Sequence, residues 1–218
     1  MQSFEMLNLF GTAIFAISGA FAAARKGMDI TGVLLLAFLV GNGGGTIRDV
    51  ILGKGAAFWV SNPDYVWVAL IAGVLAIILV RFVTIPFKLL LVADALGLGV
   101  FVVTGAKIAL VFGTSPFIAI LMGMLTGVGG SVLRDLICNE VPLILRHEIY
   151  STAAFLGGLF FVLVIHILPE NITAILSILI VFVIRVLAIY FDWSMPVFSH
   201  HWFRETRKLS KKGDNHVD

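Results

Sequence analysis

The sequence has few charges and a single cysteine, and each shortage excludes classes of protein. Asp, Glu, Lys and Arg make up 13% of the 218 residues, against about 25% in soluble domains. With Cys138 as its only cysteine, the chain can form no internal disulfide and offers no cysteine-based metal site. The first ten residues, MQSFEMLNLF, lack Lys and Arg, so we expect the first apolar run to be a retained span and not a cleaved signal peptide.

Sequence signatures of enzymes are missing as well. There is no P-loop Gly-Lys-Ser/Thr, no HExxH and no Ser, His and Asp arrangement typical of hydrolases. GNGGGT at residues 41–46 shares only its composition with a dinucleotide-binding loop, because no βαβ unit surrounds it. The histidines lack the spacing of metal ligands, and only a short basic tail would suit nucleic acid. We therefore predict no enzyme, no cofactor, no metal site and no nucleic-acid partner.

The sequence is rich in long runs of apolar residues. Hydrophobic residues make up 60% of the chain and the mean hydropathy is +1.06. Apolar runs recur at about 20 residues, the length that an α-helix needs to cross a bilayer. The sequence thus predicts an all-α integral membrane protein with seven transmembrane helices, at residues 4–24, 30–52, 64–81, 88–111, 116–138, 149–168 and 172–191.

Basic residues set the predicted orientation, because Lys and Arg near span ends are retained in the cytoplasm. With the N-terminus outside and the C-terminus inside, only Arg48 and Lys54 fall in outer segments. The inner segments then hold Arg25, Lys26, Arg81, Lys88, Arg134, Arg146, Arg204, Arg207, Lys208, Lys211 and Lys212. The basic tail at 193–218 is read chiefly as a solvated segment that fixes this topology; contact with anionic lipids is the alternative.

An internal repeat divides the chain. At a shift of 86 residues, glycines fall on glycines across two spans and their loop, and the pair Arg48-Asp49 falls on Arg134-Asp135. Beyond the second span the shift becomes 85, so that Tyr65 falls on Tyr150. Each copy holds three spans, an odd number, so the second copy enters the membrane inverted. The predicted units are 1–86, an inverted copy at 87–170, a seventh helix at 171–192 and a basic tail at 193–218.

The repeat pairs two glycine clusters inside apolar spans, GNGGGTIRD at 41–49 and GVGGSVLRD at 127–135. Glycine weakens a helix and lets its backbone leave helical geometry, which lipid tolerates only beside protein or water. We expect the second and fifth spans to break and kink there and to wall a pathway between the copies. Close helix packing is the competing interpretation. The predicted pore or gate residues are Gly43, Gly44, Gly45, Gly129, Gly130 and Ser131.

Charged and hydroxyl side chains at membrane depth are the other candidates, since such charges are functional by default. Each Arg-Asp pair is predicted to line a vestibule or cap its helix, or else to anchor the end of a span. Lys107 either snorkels to the outer interface or points into the pathway, where it would respond to voltage. The predicted pore-lining or vestibule residues are Ser18, Thr46, Arg48, Asp49, Asp94, Thr104, Lys107, Arg134 and Asp135.

Two three-helix copies, each with a glycine cluster followed by Arg-Asp, together with a seventh helix, resemble the bacterial TRIC (trimeric intracellular cation) channels. That family overlaps bacterial membrane proteins labelled glycine transporters. The resemblance covers residues 4 to about 191. It implies a homotrimer in the bacterial inner membrane, with a pore in each subunit that passes monovalent cations, chiefly potassium. The Lys-Glu-Val signature of animal members is absent.

Physical arguments alone leave three functions open. A passive cation channel needs a wet path lined by carbonyls and hydroxyls. A carrier for a small amino acid such as glycine would use the same paired segments to hold the ammonium and carboxylate groups, and its two copies would rock against each other. A structural membrane subunit without transport activity is the third. The family resemblance favours the channel.

Overall fold

The structure is a computed structural model that describes residues 2–82, 86–145 and 149–193. The basic tail predicted for 193–218 therefore lies outside the described residues, except for Trp193. Within the described part of the chain the regular structure is helical and contains no strand. The helices are α1 (Gln2–Arg25), α2 (Ile30–Ile51), the short α3 (Phe58–Ser61), α4 (Asp64–Phe82), α5 (Phe87–Val111), α6 (Pro116–Ile137), α7 (Tyr150–Val164) and α8 (Glu170–Phe191), with a 3-10 turn at Leu143–Leu145.

Seven of these helices coincide with the seven predicted spans, which confirms the predicted fold class. Six are long and apolar enough to cross a membrane, and α7 is a shorter apolar helix. The predicted sixth span, 149–168, is too long, because α7 ends at Val164. There the Ile167 N–H donates to the Val164 carbonyl at 2.8 Å, a tight turn before Pro169, whose ring disfavours helical geometry in the residue before it.

The inverted repeat is visible in which helices touch. In the first copy α1 packs on α2 and α4, and in the second copy α5 packs on α6 and α7 in the same way. The copies contact each other where equivalent helices meet, with α1 against α5 and α2 against α6. The seventh helix, α8, packs chiefly on α5 and α7. It therefore breaks the symmetry, and α5 becomes enclosed by α1, α6, α7 and α8.

Turn geometry repeats in the same frame as the sequence. Gly27 and Gly113, which follow α1 and α5, have φ values of 69° and 85°. Gly53 and Asn139, which follow α2 and α6, have φ values of 66° and 53°. These left-handed conformations favour glycine and tolerate asparagine. One of the glycine matches that reveal the repeat, Gly27 with Gly113, is thus required by the turns that end α1 and α5.

Side-chain contacts at the helix ends sort the loops onto two ends of the bundle. At one end Asn62 donates to Glu5 at 2.9 Å, and Lys107 pairs with Glu170. At the other end Lys26, in the α1–α2 loop, pairs with Glu140, after α6, at 2.5 Å. The end with Asn62 and Lys107 contains the loops that are predicted to lie outside the cell. The end with Lys26 contains the loops that are predicted to lie inside. The helices therefore alternate in direction as the seven-span prediction requires.

Candidate functional site

The two glycine clusters lie where α2 and α6 cross, between the two copies. A Cβ atom built on Gly44 would overlap the carbonyl oxygen of Thr126, and one built on Gly130 would overlap that of Val40. A Cβ on Gly129 would come within 2.9 Å of the Gly44 Cα. The two backbones thus approach to a separation that no larger residue allows, as small residues permit in membranes. The crossing is itself symmetric, because Val40 and Thr126 are 86 residues apart.

The expected interruption of these helices is not found. Both α2 and α6 continue as α-helix through their glycines, so the separate half-helices predicted from the sequence are wrong. The reason is that the glycines relieve steric overlap at the crossing and do not release the backbone hydrogen bonds. All six residues of the predicted gate are nevertheless brought together, because Gly43, Gly44, Gly129, Gly130 and Ser131 are buried at or beside the crossing and Gly45 is buried against Phe58.

A buried polar network surrounds Arg134 in the second copy. The Arg134 Nη1 donates to Asp94 Oδ1 at 2.6 Å and to Ser18 Oγ at 2.7 Å, and its Nε donates to Asp135 Oδ1 at 2.9 Å. The Tyr150 hydroxyl donates to Asp94 Oδ2 at 2.8 Å. Ser131 Oγ lies 3.0 Å from the same hydroxyl. One arginine therefore joins α1, α5 and α6 and, through Tyr150, α7.

The matching cluster in the first copy is centred on Arg48 and is less complete. Arg48 Nε donates to Asp49 Oδ1 at 2.9 Å, and both side chains are fully buried. Asn8 stands where the second copy has Asp94, and its Nδ2 donates to the Tyr65 hydroxyl at 3.3 Å. Gly45 replaces Ser131, and the Phe58 ring packs against it. This cluster thus contains one carboxylate where the other contains two.

The aspartate of each Arg-Asp pair also holds the segment that follows its helix. Asp49 Oδ2 accepts the backbone N–H of Phe58, and Asp135 Oδ2 accepts that of Leu143, both at 2.9 Å. Phe58 begins α3 and Leu143 begins the 3-10 turn. The two segments are 85 residues apart, so the residue lost between the copies lies between each aspartate and the N–H that it binds.

A cavity of about 360 Å³ opens between the copies at the end of the bundle predicted to be cytoplasmic. Arg134 and Asp135 form its inner wall, and the Lys26–Glu140 ion pair lies at its edge. Its full lining is Ala22, Arg25, Lys26, Phe87, Leu90, Arg134, Asp135, Cys138, Glu140 and Leu143. The cavity therefore reaches Arg134 and Asp135, two members of the network around Asp94.

The other predicted polar residues take less central places. The Thr46 hydroxyl donates to the carbonyl of Asn42 at 2.8 Å and accepts from the Trp59 indole at 2.9 Å. Thr104 is fully buried on α5. Lys107 pairs with Glu170 at the start of α8, and its ammonium lies 3.5 Å from the centroid of the Phe4 ring. Lys107 therefore lies at the end of the bundle predicted to be external.

Sequence reasoning did not propose Tyr150 and Arg185 as site residues. Tyr150 is fully buried at the centre of the network, and the Arg185 guanidinium of α8 lies 4.6 Å from the centroid of its ring. Two signals pointed to them: the match of Tyr65 with Tyr150 in the repeat, and a charge within an otherwise apolar span.

Among the described residues no group of His, Cys, Asp and Glu is arranged to hold a metal ion.

Known proteins are similar to this chain in sequence and in architecture. The family model described as glycine transporter matches residues 5–81 and 91–166, once in each copy. A UPF0126 membrane protein of Vibrio cholerae is 41% identical over 196 residues, covering 89% of this chain and 82% of the relative. The UPF0126 inner membrane protein YadS of Escherichia coli K12 is 40% identical over 196 residues, covering 88% and 95%.

Solved structures agree. The TRIC trimeric intracellular cation channel orthologue from Rhodobacter sphaeroides has a TM-score of 0.85 and 40% identity, over 88% of this chain and all of that one. A second structure, which addresses conductance through TRIC cation channels, has a TM-score of 0.81 and 38% identity. The match covers 91% of this chain and 98% of that one.

Seven apolar helices, six of them in two inverted three-helix copies whose α2 and α6 cross at paired glycines, define a multi-pass membrane protein with the architecture of TRIC channels. The chain belongs to the family of bacterial UPF0126 membrane proteins, whose model is described as glycine transporter, and it shares the fold of the TRIC channels. The family resemblance read from the glycine and Arg-Asp repeats is thereby confirmed.

Proposed function

We propose that the protein is a channel for monovalent cations, chiefly potassium, with one pathway in each subunit of a homotrimer. The observation that carries this proposal is the 40% identity with a TRIC cation channel orthologue over the whole length of that chain. The pathway runs between the copies at 1–86 and 87–170, with the seventh helix at 171–192 outside it. The subunit lies in the bacterial inner membrane with its N-terminus outside, as the distribution of Lys and Arg favours.

The gate in this proposal is the crossing of α2 and α6. The two helices touch through backbone atoms at Gly44 and Gly130, so a small slide or tilt of one helix against the other changes the width between them without moving large side chains. Gly43, Gly45, Gly129 and Ser131 flank that point. The cavity lined by Arg134 and Asp135 serves as the inner vestibule.

Charge in the vestibule favours cations in this scheme. Arg134 faces two carboxylates, Asp94 and Asp135, so the three groups carry a net negative charge when all are ionised. A charged group of one sign beside a low-dielectric path raises the local concentration of the opposite ion. Ser18 and Thr104 add hydroxyl groups at membrane depth.

A carrier for a small amino acid such as glycine is the second candidate, and the description of the family model favours it. Purified protein in liposomes separates the two functions. Potassium flux that follows an imposed potential without saturating supports the channel. Saturable uptake of labelled glycine without potassium current would replace it by the carrier, and the absence of both activities would leave a structural subunit.

The proposed orientation has its own test. Cys138, the only cysteine, is buried, so a Cys138→Ala background accepts single reporter cysteines. Lys54→Cys is expected to react with a membrane-impermeant maleimide added to intact cells, and Lys26→Cys only after lysis. The opposite labelling pattern would invert the topology.

A further inference from the structure

The two arginine clusters differ in a way that leaves one of them open. In the second copy, Arg134 Nη1 donates to Asp94 Oδ1 and to Ser18 Oγ. At the shift of 86 residues the corresponding atoms are Arg48 Nη1, Asn8 Oδ1 and Thr104 Oγ1. All three are buried, and none has a hydrogen-bond partner among the residues that the structure describes.

The equivalence of the two copies predicts that these three groups face one another, as Arg134, Asp94 and Ser18 do. Arg134 reaches across from the second copy to Ser18 on α1, at the contact between α1 and α6. The equivalent contact is that of α2 with α5, which the structure also contains. By the equivalence of the copies we expect Thr104 of α5 to face Arg48 of α2, as Ser18 faces Arg134.

The charge around Arg48 is also incomplete relative to Arg134. Arg48 Nη2 lies 2.7 Å from Asp49 Oδ1 but has no aligned hydrogen bond, and Nη1 has no acceptor. The Phe58 ring, with its centroid 5.6 Å from the guanidinium carbon, covers one face. Buried guanidinium donors without an acceptor are unfavourable, and a bound water or ion is one of the ways in which native proteins satisfy such groups.

The neighbouring groups can all act as donors. The oxygen and nitrogen of an asparagine amide exchange places by a rotation of 180°. In that orientation Asn8 Oδ1 accepts from the Tyr65 hydroxyl, just as Asp94 accepts from Tyr150. Asn8 Nδ2 then faces Arg48, together with the Thr104 hydroxyl. A set made of a guanidinium, an amide N–H and a hydroxyl recognises an acceptor with negative charge.

We propose that the first-copy cluster binds one small monovalent anion at Arg48, between the donors of Asn8 and Thr104. The anion supplies the second negative charge that Asp94 provides to Arg134 in the other copy. A free halide and the carboxylate of a small solute such as glycine share this chemistry. The site goes beyond the proposed cation pathway, and it exists or fails independently of whether potassium flows.

Thermal unfolding of the purified protein in nanodiscs tests the site. Potassium and ionic strength are held constant while gluconate, a much bulkier anion, is exchanged for chloride. We expect the midpoint of unfolding to rise by about 2–5 °C with a saturable dependence on chloride, as ligand binding to the folded state requires. A midpoint that is the same in chloride and gluconate means that the cluster holds only water, and it overturns the proposal.

Substitution at Asn8 gives the sharper result. Asn8→Asp supplies the missing carboxylate, so this variant is expected to unfold at the same temperature in chloride and gluconate. Ser177→Ala is the matched control: Ser177 is a buried serine whose hydroxyl donates to its own helix at Thr173, and this variant should keep the chloride shift. An equal chloride shift in Asn8→Asp and the wild type would assign the effect to general salt action and overturn the site.

Two further arms identify the anion and guard against a variant that fails to fold. Glycine added to the gluconate sample raises the midpoint and lowers the later response to chloride if the carboxylate is the natural occupant; no response to glycine assigns the site to a halide. Crystals of the wild-type protein grown in bromide should show anomalous density beside Arg48 Nη1. Density there supports the proposal, and its absence in well-ordered crystals contradicts it.

Discussion

The Tyr150 hydroxyl donates a hydrogen bond of 2.8 Å to Asp94 Oδ2, and this bond joins α7 to α5 at full burial. The other oxygen of the same carboxylate accepts from Arg134. Asp94 is therefore held from both sides by groups on other helices. The second copy is organised around this carboxylate, whereas the first copy has a neutral amide at the corresponding position.

Tyr150→Phe tests the contribution of that hydrogen bond. The variant keeps the ring beside Arg185 and removes only the hydroxyl, leaving Asp94 with one buried oxygen unpaired. We expect a loss of about 1–3 kcal/mol in the free energy of unfolding, measured in detergent micelles. Tyr65→Phe is the control, because its hydroxyl shares a single hydrogen bond of 3.3 Å with the Asn8 amide. Equal losses in the two variants would contradict the central role of Asp94.

Arg134→Gln should be more damaging than Arg48→Gln. The first leaves Asp94 and Asp135 without their buried counter-charge, whereas the second leaves only Asp49. Removing one partner of a buried ion pair costs about 3–5 kcal/mol, so we expect at least this loss at Arg134. Adding Asp94→Asn to Arg134→Gln should restore part of the stability. If the double variant is less stable than the single one, the two carboxylates are not the cause.

Gly44→Ala tests the crossing of α2 and α6. The new methyl group would overlap the Thr126 carbonyl, so the helices must move apart and the spacing of the proposed gate changes. We expect potassium flux in liposomes to change at least several-fold, with a measurable loss of thermal stability. Gly158→Ala is the matched control, because its nearest atom lies at an ordinary contact distance of 3.4 Å. Unchanged flux in Gly44→Ala would remove the crossing from the pathway.

The Lys26–Glu140 pair joins the two copies at the edge of the inner cavity and is exposed to solvent. Exposed ion pairs contribute about 0–1 kcal/mol, so Lys26→Glu should hardly change stability. It should nevertheless raise cation flux at low ionic strength by making the entrance more negative, an effect that salt screens. Lys26→Gln should give a smaller increase. A flux unaffected by the charge at position 26 would exclude this cavity as the cation entrance.

Much of the fold follows from the sequence because its signals are local. The length of each apolar run determines where a helix crosses lipid, and proline and glycine mark where it ends. Six of the predicted spans agree with the structure within two residues at each end. Only α7 is clearly shorter than its prediction. The residues between its end and Pro169 are apolar but form a turn, and hydropathy alone does not distinguish such a turn from a helix.

The partners of the site residues are a different matter. The sequence repeat showed that Arg48 and Arg134 are equivalent, and it pointed to Asn8, Asp94, Tyr65 and Tyr150. It did not show that Arg134 reaches Ser18, 116 residues away in the chain. Helices that are apolar all round, such as α5, carry no hydrophobic stripe that says which face meets which neighbour.

By itself, then, the sequence determined the helices, their alternating direction and the pairing of two glycine clusters, since each depends on residues close together in the chain or on a fixed shift between copies. Only the tertiary structure decided what the glycines do. They let α2 and α6 touch while both remain helical. The glycines are needed because the two backbones lie close together, and the helix propensity of either segment does not decide their role. The same packing gave Arg134 two carboxylate partners and left the Nη1 of Arg48 without an acceptor among the described residues.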